Sequence, residues 1–368
     1  MRYYIIAGEA SGDLHGSNLV KGLRSQDPEA QIRCHGGDLM AAAGAELVRH
    51  YKESDVMGIT DVVASAGKIS RKLKDCKKDI LEWKPDVVIL IDYPGFNMKI
   101  AKFCHEKGIR VFYYIAPKTW ASREKRNEKL RRYVDKLFIV FPFEQEYFRK
   151  AEIPFVYKGN PLIDAVDGHK YINNLGCKYI ALLPGSRKGE ISRMMPVCME
   201  VADRLGCNIV IAGAPSRTLA DYAPYIGARK NVSIMFNNTY DVLKFAEAAI
   251  INSGTASLEA ALIGTPQVVC WSTSPLTAFV GRKIFKVMDH VKYISLGNLI
   301  IDRPAFRELV QEEFNAANVE AEVRRLTGDE AYRAKMLSDY ADIRAALGGA
   351  GASEAIAKAM MEELKNQR

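Results

Sequence analysis

Four short loops carry residue types that could do chemistry, and each follows an apolar run. The first, Ala7-Gly-Glu-Ala-Ser-Gly-Asp13, opens onto a helical stretch. Gly8 and Gly12 permit close backbone approach, and a helix start offers unpaired N–H groups to an anion. The spacing is not the G-x-G-x-x-G dinucleotide fingerprint, and no acidic residue closes a second strand about 20 residues later. A dehydrogenase is thereby demoted. The plainer alternative is a tight strand-to-helix turn with Asp13 as a first-turn charge.

The second loop is Leu183-Pro-Gly-Ser-Arg187. Arg187 offers a planar fork that suits a diphosphate, and Ser186 adds a hydroxyl donor. The third, Asn252-Ser-Gly-Thr-Ala-Ser-Leu-Glu259, places capping-type Ser253 and Thr255 around Gly254, which removes bulk where a helix begins. Such a start suits a pyrophosphate, and Glu259 one turn on is within reach of ribose hydroxyls. Alone this cluster would be an ordinary N-cap. Beside Arg187 a nucleotide site is the better reading. The fourth loop, Ile91-Asp-Tyr-Pro-Gly-Phe-Asn97, closes the strongest apolar run. A carboxylate at the C-terminal end of a parallel strand points into the crevice where a general base is needed, and Asp92 has that chemistry. Its alternative role is to cap the next helix or pair with a basic neighbour. The histidines at 15, 35, 50, 105, 169 and 290 show no metal spacing, although His15 lies beside the first loop and could line a cleft.

These loops need a scaffold, and the pattern supplies one. Short β-branched runs alternate with longer amphipathic stretches, the signature of βαβ units around a parallel sheet. Tyr3–Ala7, Pro85–Ile91, Arg110–Tyr114 and Lys136–Val140 read as strands, and the series restarts at Tyr179–Leu183, Asn208–Ala212 and Ala248–Asn252. Two series predict two doubly wound domains with a joint near Gly159-Asn160-Pro161. Lys68–Trp83 reads as a basic amphipathic helix, with Ile69, Leu73, Cys76, Ile80 and Leu81 on one stripe. It suits either a sheet-packed surface helix or a helix lying on an anionic bilayer. Lys118–Lys136 is similarly basic.

Composition excludes several classes. Among 368 residues, 48% are apolar and 26% charged, as in an ordinary globular protein. No stretch approaches the ~18 uninterrupted apolar residues of a spanning helix, and the start does not read as a signal peptide. Seven cysteines without a C-x-x-C pair argue against a disulfide framework or zinc knuckle and for reduced, cytosolic thiols. The net charge of +8 is uneven: residues 1–160 hold 28 Lys/Arg against 21 Asp/Glu, so nearly all of it falls in the first half. A basic half faces a phosphate-bearing ligand, nucleic acid or an anionic surface, or is simply solvated. No recognition-helix or aromatic-basic pattern supports nucleic acid.

Taken in order, AGEASGD, PDVVILIDYPGFN, YYIAPKTWASREKR, GNPLID, LLPGSR, INSGTASLEAAL and SLGNLI resemble the lipid-A-disaccharide synthase family from Ile6 to about Gln311. The resemblance implies an α/β protein of GT-B architecture, two doubly wound Rossmann-like domains facing a central cleft. Residues 1–160, joined by a C-terminal helix at 345–368, would bind the acceptor, and residues 161–344 the UDP-sugar. It implies an inverting transfer from UDP-2,3-diacylglucosamine to 2,3-diacylglucosamine 1-phosphate, giving UDP and a tetraacyl β-1,6 disaccharide 1-phosphate. Asp92 would be the base, with Glu9 and Ser11 shaping the acceptor side together with Gly12, His15, Asn97 and Trp120. Ser186, Arg187, Ser253, Gly254, Thr255, Glu259, Asn298 and Gln311 would hold UDP. No metal or other cofactor is expected, since cationic side chains and a helix dipole can stabilise the leaving diphosphate. The implied partners are the two glycolipids, an anionic membrane surface and a second copy in a homodimer, with no nucleic acid. The implied location is the cytoplasm, peripheral to the inner face of the inner membrane. One segment departs from the family: Trp120-Ala-Ser122 lacks the second tryptophan of W-A-W. An N-acetylglucosaminyltransferase of cell-wall synthesis and a UDP-sugar 2-epimerase share the fold. The absence of a histidine-rich catalytic set counts against the epimerase.

Overall fold

The computed structural model describes residues 1–54, 62–122, 126–273 and 292–366. Arg123, Glu124 and Lys125 of the second basic stretch, and the side chains of Lys68 and Ser122, lie outside the described residues. The chain divides into two compact units, Met1–Ala165 with Gly349–Arg368, and Val166–Gly348. The crossings at 165/166 and 348/349 fall a few residues beyond the junctions read from the sequence at 160/161 and 344/345. Together they form a GT-B fold of two Rossmann-like domains.

The first unit is built on seven parallel strands: β1 (Arg2–Ala7), β2 (Gln31–Gly36), β3 (Glu46–His50), β4 (Val87–Ile91), β5 (Val111–Tyr114), β6 (Lys136–Ile139) and β7 (Phe155–Tyr157). Their spatial order is β3-β2-β1-β4-β5-β6-β7. All five residues of β4 are buried, because helices cover both faces of a parallel sheet and leave no polar side. The second unit has β8 (Ile180–Leu183), β9 (Ile209–Gly213), β10 (Val232–Phe236), β11 (Ala248–Asn252), β12 (Gln267–Trp271) and β13 (Glu308–Val310) in the order β10-β9-β8-β11-β12-β13.

Strand order reverses between β1 and β4 in one sheet and between β8 and β11 in the other. Ligands of open α/β sheets bind at such switch points, beyond the carboxyl ends of the strands. Ala7 pairs with Ile91, and Leu183 with Ile251. The four loops therefore emerge at the two switch points, two per unit.

The C-terminal helix Ala352–Lys365 packs on the helix Ala10–Gln26, behind the first loop. The approach is close: a Cβ at Gly22 would stand 2.9 Å from that of Ala357. Asp164 fixes the start of this C-terminal helix, accepting from the Gly351 and Ser353 amides at 2.5 and 2.7 Å. In the basic helix, Val62–Trp83, Cys76 and Ile80 are buried in the core, whereas Ile69 and Leu81 are 37% and 43% exposed. The apolar stripe is therefore narrower than its sequence suggested, and its two ends face solvent. No helix among the described residues is long and apolar enough to cross a membrane.

Candidate functional site

In the first unit the chain turns sharply at the end of β4. Asp92 and Tyr93 both adopt left-handed backbone, with φ of 42° and 48°. Two consecutive non-glycine residues in that region are costly and persist only when the surroundings hold them. They are held from three sides. The Asp92 carbonyl accepts from Tyr113 Oη at 2.6 Å and from Asn97 Nδ2 at 2.8 Å, and its amide donates to the Tyr114 carbonyl at 3.2 Å. The backbone is clamped while Asp92 itself is exposed. Asn97 is wholly buried and also donates to the Ile91 carbonyl at 3.2 Å. It acts on the site through Asp92, not by facing a ligand. Tyr113 carries an equal share of the clamp and has no sequence signal apart from its place on β5.

The first loop sits beneath this turn. A Cβ at Gly8 would fall within the Tyr93 ring, so only glycine fits there. Gly12 is buried against Ala7 and Ile91. Glu9 and Ser11 begin the helix Ala10–Gln26 and are exposed. Asp13 faces inward, its carboxylate accepting from the Gly37, Leu39 and Met40 amides at 2.8, 3.1 and 3.1 Å. That satisfies the start of the helix Asp38–Ala42 and gives Asp13 a structural role. His15 is also buried, and burial lowers its pKa to about 4, so the ring is neutral. Its Nδ1 has no hydrogen-bond partner among the described residues. Trp120 donates from Nε1 to Glu144 Oε1 at 3.3 Å, with its ring edge-on to Phe143. Glu144 is buried, accepts from the Val140 and Phe141 amides, and is raised to about 7 by burial.

In the second unit the Arg187 loop is not an open amide cradle. The Ser186 and Arg187 amides both donate to Glu190 Oε2, at 3.0 and 3.1 Å, closing a capping box at the helix Lys188–Leu205. An anion there must be held by the side chain of Arg187, which is 68% exposed beside Glu190 Oε1 at 3.4 Å. The helix Thr255–Ile263 is different: it starts at Gly254 with no side-chain cap. Its first amides and dipole face the end of β11, the better anion seat of the two. Ser253 donates from Oγ to the Ile294 carbonyl at 3.3 Å. Glu259 accepts from Tyr240 Oη at 3.2 Å, and burial of its carboxyl raises its pKa to about 7.

Asn298 and Gln311 occupy supporting positions. Asn298 is fully buried; its Nδ2 donates to the Phe306 carbonyl and to Glu308 Oε1, and its Oδ1 accepts from Ala305 N. Its hydrogen-bonding capacity is spent inside the protein. Glu308 also accepts from the Ile294 and Ser295 amides and from Ser295 Oγ, fixing the segment that Ser253 touches. Gln311 has φ of 55° and accepts from Thr273 N at 2.8 Å. Glu190, Tyr240 and Glu308 had no motif to announce them, because each acts on a partner brought near by folding.

Residues 3–360 match the family model described as lipid-A-disaccharide synthetase. The lipid-A-disaccharide synthase of Geobacter metallireducens is 38% identical over 381 residues, covering 100% of this chain and 98% of the relative. That of Myxococcus xanthus is 36% identical over 377 residues, covering 99% and 97%. Among solved structures, the UDP-GlcNAc 2-epimerase of Neisseria meningitidis superposes with a TM-score of 0.69 at 13% identity, covering 98% of this chain and 100% of that one. At that identity the likeness speaks for the fold alone.

Proposed function

Because the chain belongs to the lipid-A-disaccharide synthase family, we propose that its own residues carry out that family's transfer as follows. The enzyme is an inverting GT-B glycosyltransferase that joins UDP-2,3-diacylglucosamine to 2,3-diacylglucosamine 1-phosphate, releasing UDP. Asp92 takes the proton of the acceptor 6-hydroxyl as that oxygen attacks C1 of the donor sugar, opposite the departing diphosphate. The observation that carries this assignment is an exposed carboxylate on a clamped, left-handed turn at the β1/β4 switch point. Tyr113 and Asn97 hold its backbone, and Glu9 and Ser11 lie on the acceptor side of the adjoining loop. Arg187 and the uncapped start of Thr255–Ile263, with Ser186, Ser253, Gly254 and Thr255, neutralise the diphosphate. Glu259, steadied by Tyr240, accepts from the ribose. Asn298 and Gln311 act indirectly, by holding the segments around Ile294 and Thr273. Trp120 belongs to the acceptor side through its tie to Glu144. The reaction needs no metal in this reading, because the developing charge on UDP meets fixed cationic and dipolar groups.

The Glu259 assignment predicts a pH dependence. Ribose hydroxyls donate to the ionised carboxylate, and the protonated acid, favoured below about 7, is the poorer acceptor. UDP affinity should therefore rise by up to about tenfold between pH 6 and pH 8 beyond the contribution of the phosphates themselves. Titration calorimetry of the wild type against Glu259→Gln isolates this component. Identical pH profiles for the two proteins would remove Glu259 from the ribose.

The same reading places the protein in the cytoplasm at the inner face of the inner membrane, as a homodimer through its nucleotide-binding unit. The exposed Ile69 and Leu81, with exposed Lys74 and Lys78 on the same helix, suit an anionic lipid surface. Lys74→Glu with Lys78→Glu should weaken binding to vesicles containing phosphatidylglycerol by about tenfold or more. Added salt should do the same to the wild type. Undiminished flotation of the double variant with such vesicles would rule this surface out.

A further inference from the structure

Glu144 is a buried carboxylate whose charge the mechanism does not use, and three N–H groups from two separate segments converge on it. Both segments leave the carboxyl edge of the first sheet. The one after β5 begins with Ile115 at φ 60°, a conformation that a β-branched residue adopts only when its surroundings enforce it. It starts beside the base: the Tyr114 carbonyl accepts from the Asp92 amide, and the Ile115 amide donates to the Phe138 carbonyl at 3.0 Å. Further along this segment, Trp120 Nε1 donates to Glu144 Oε1 at 3.3 Å. From the segment after β6, the Val140 and Phe141 amides donate to the other oxygen, Oε2, at 3.2 and 3.1 Å. Asn160 holds the same segment by its carbonyl, donating from Nδ2 to Val140 O at 3.0 Å.

The arrangement selects a carboxylate. Both of its oxygens accept, whereas a glutamine amide has one accepting oxygen and would set its NH2 against either the indole or the two backbone donors. The indole is fixed a second way. Its ring stands edge-on to Phe143 with centroids 5.0 Å apart, and Phe143 stacks on Phe141 at 5.5 Å. Trp120 and Phe143 are only partly buried, so the pair keeps apolar surface at the sheet edge that carries Asp92.

We propose that Glu144 is a positioning residue that holds the Trp120 indole and, on the reading of function given above, sets the affinity for the acceptor glycolipid through it. Its pKa gives the hold a pH dependence. Burial raises the carboxyl to about 7, opposed by the two amides, Trp120 and Lys118, which favour the charged form. Lys118 belongs to the segment after β5. Tyr157 of β7 faces the site as a neutral phenol, its pKa raised by burial first and by Glu144 second. On the same helix as Glu144, Glu146 is paired with Lys150 at 2.6 Å. A proton on Oε1 turns that oxygen into a donor facing the indole N–H. The grip on Trp120 therefore tightens as pH rises through about 7.

The test follows tryptophan emission and acceptor kinetics from pH 6 to pH 8 in the wild type, Glu144→Gln, Trp120→Phe and the double variant. Trp83 and Trp271 emit in all four proteins, so the contribution of Trp120 is read by difference. Wild-type emission should show a step near pH 7 that both single variants lack, since glutamine copies the protonated acid at every pH and phenylalanine removes the reporter. The ratio of acceptor KM between Glu144→Gln and the wild type should be close to one at pH 6 and about three to ten at pH 8. Trp120→Phe should raise KM in the same way, and adding Glu144→Gln to it should change KM by less than about twofold. UDP affinity in Glu144→Gln should follow the wild type, which separates this titration from that of Glu259. A KM ratio independent of pH, or an equal loss from Glu144→Gln with and without Trp120, would overturn the proposal. If Glu144→Gln fails to fold, the wild type against Trp120→Phe supplies the emission step and the pH-dependent KM ratio alone. A wild type that forms no disaccharide would count against the function; an emission step lost in Trp120→Phe would then still support the hold on Trp120, and no step in the wild type would refute it.

Discussion

Asp92→Asn is expected to lower turnover by about 10²- to 10⁴-fold, the range for removal of a general base, while UDP affinity stays within about twofold of the wild type. The substitution is unusually clean. Asp92 sits at φ 42°, and asparagine is among the few residues that tolerate the left-handed region. The contacts that shape the turn involve the Asp92 backbone: its carbonyl receives Tyr113 and Asn97, and its amide donates to Tyr114. None of these changes when one carboxylate oxygen becomes an amide nitrogen. The variant should therefore fold and melt like the wild type, and the loss should sit in kcat. Steady-state kinetics beside a thermal melt check this. Near-normal turnover would take the base away from Asp92, and a large drop in melting temperature would mean its carboxylate is structural.

Arg187→Ala should weaken UDP by about ten- to a hundredfold, the range for losing a charged hydrogen-bonding partner. The reason is specific to this loop. Its backbone amides are already taken by Glu190, so the side chain must carry the loop's interaction with a diphosphate. Arg187→Lys should recover only part of the loss, since a point charge cannot reproduce a bidentate fork. The Glu190 capping box does not depend on the guanidinium alone, because the Glu190 carboxylate is still held by the two amides. Calorimetry with UDP decides the matter: unchanged affinity in Arg187→Ala would leave the diphosphate to the helix Thr255–Ile263.

Much of the scaffold was legible because buried parallel strands write themselves as apolar runs. Val87–Ile91 and Ala248–Asn252 are plain examples. β2 and β3 were not read, since Arg33, Arg49 and His50 interrupt the apolar pattern. β7 and β13, three residues each, are too short for any period to show. The reactive loops were legible for a related reason: glycine, serine and carboxylate residues immediately after an apolar run mark the carboxyl end of a strand. Their supports were not. Tyr113, Glu190, Tyr240 and Glu308 act across sequence gaps or through backbone amides, and nothing in their spacing sets them apart from ordinary surface or core residues. His15, Asn97 and Asn298 show the opposite limit. Their chemistry drew attention, and folding turned all three inward, where Asn97 and Asn298 hold neighbours in place.

The most direct test is an assay of the purified protein with UDP-2,3-diacylglucosamine and 2,3-diacylglucosamine 1-phosphate, following UDP release and the lipid product together. UDP and a tetraacyl β-1,6 disaccharide 1-phosphate are expected in equal amounts. UDP-N-acetylglucosamine converted to its 2-epimer, with no disaccharide formed from the acylated pair, would contradict it.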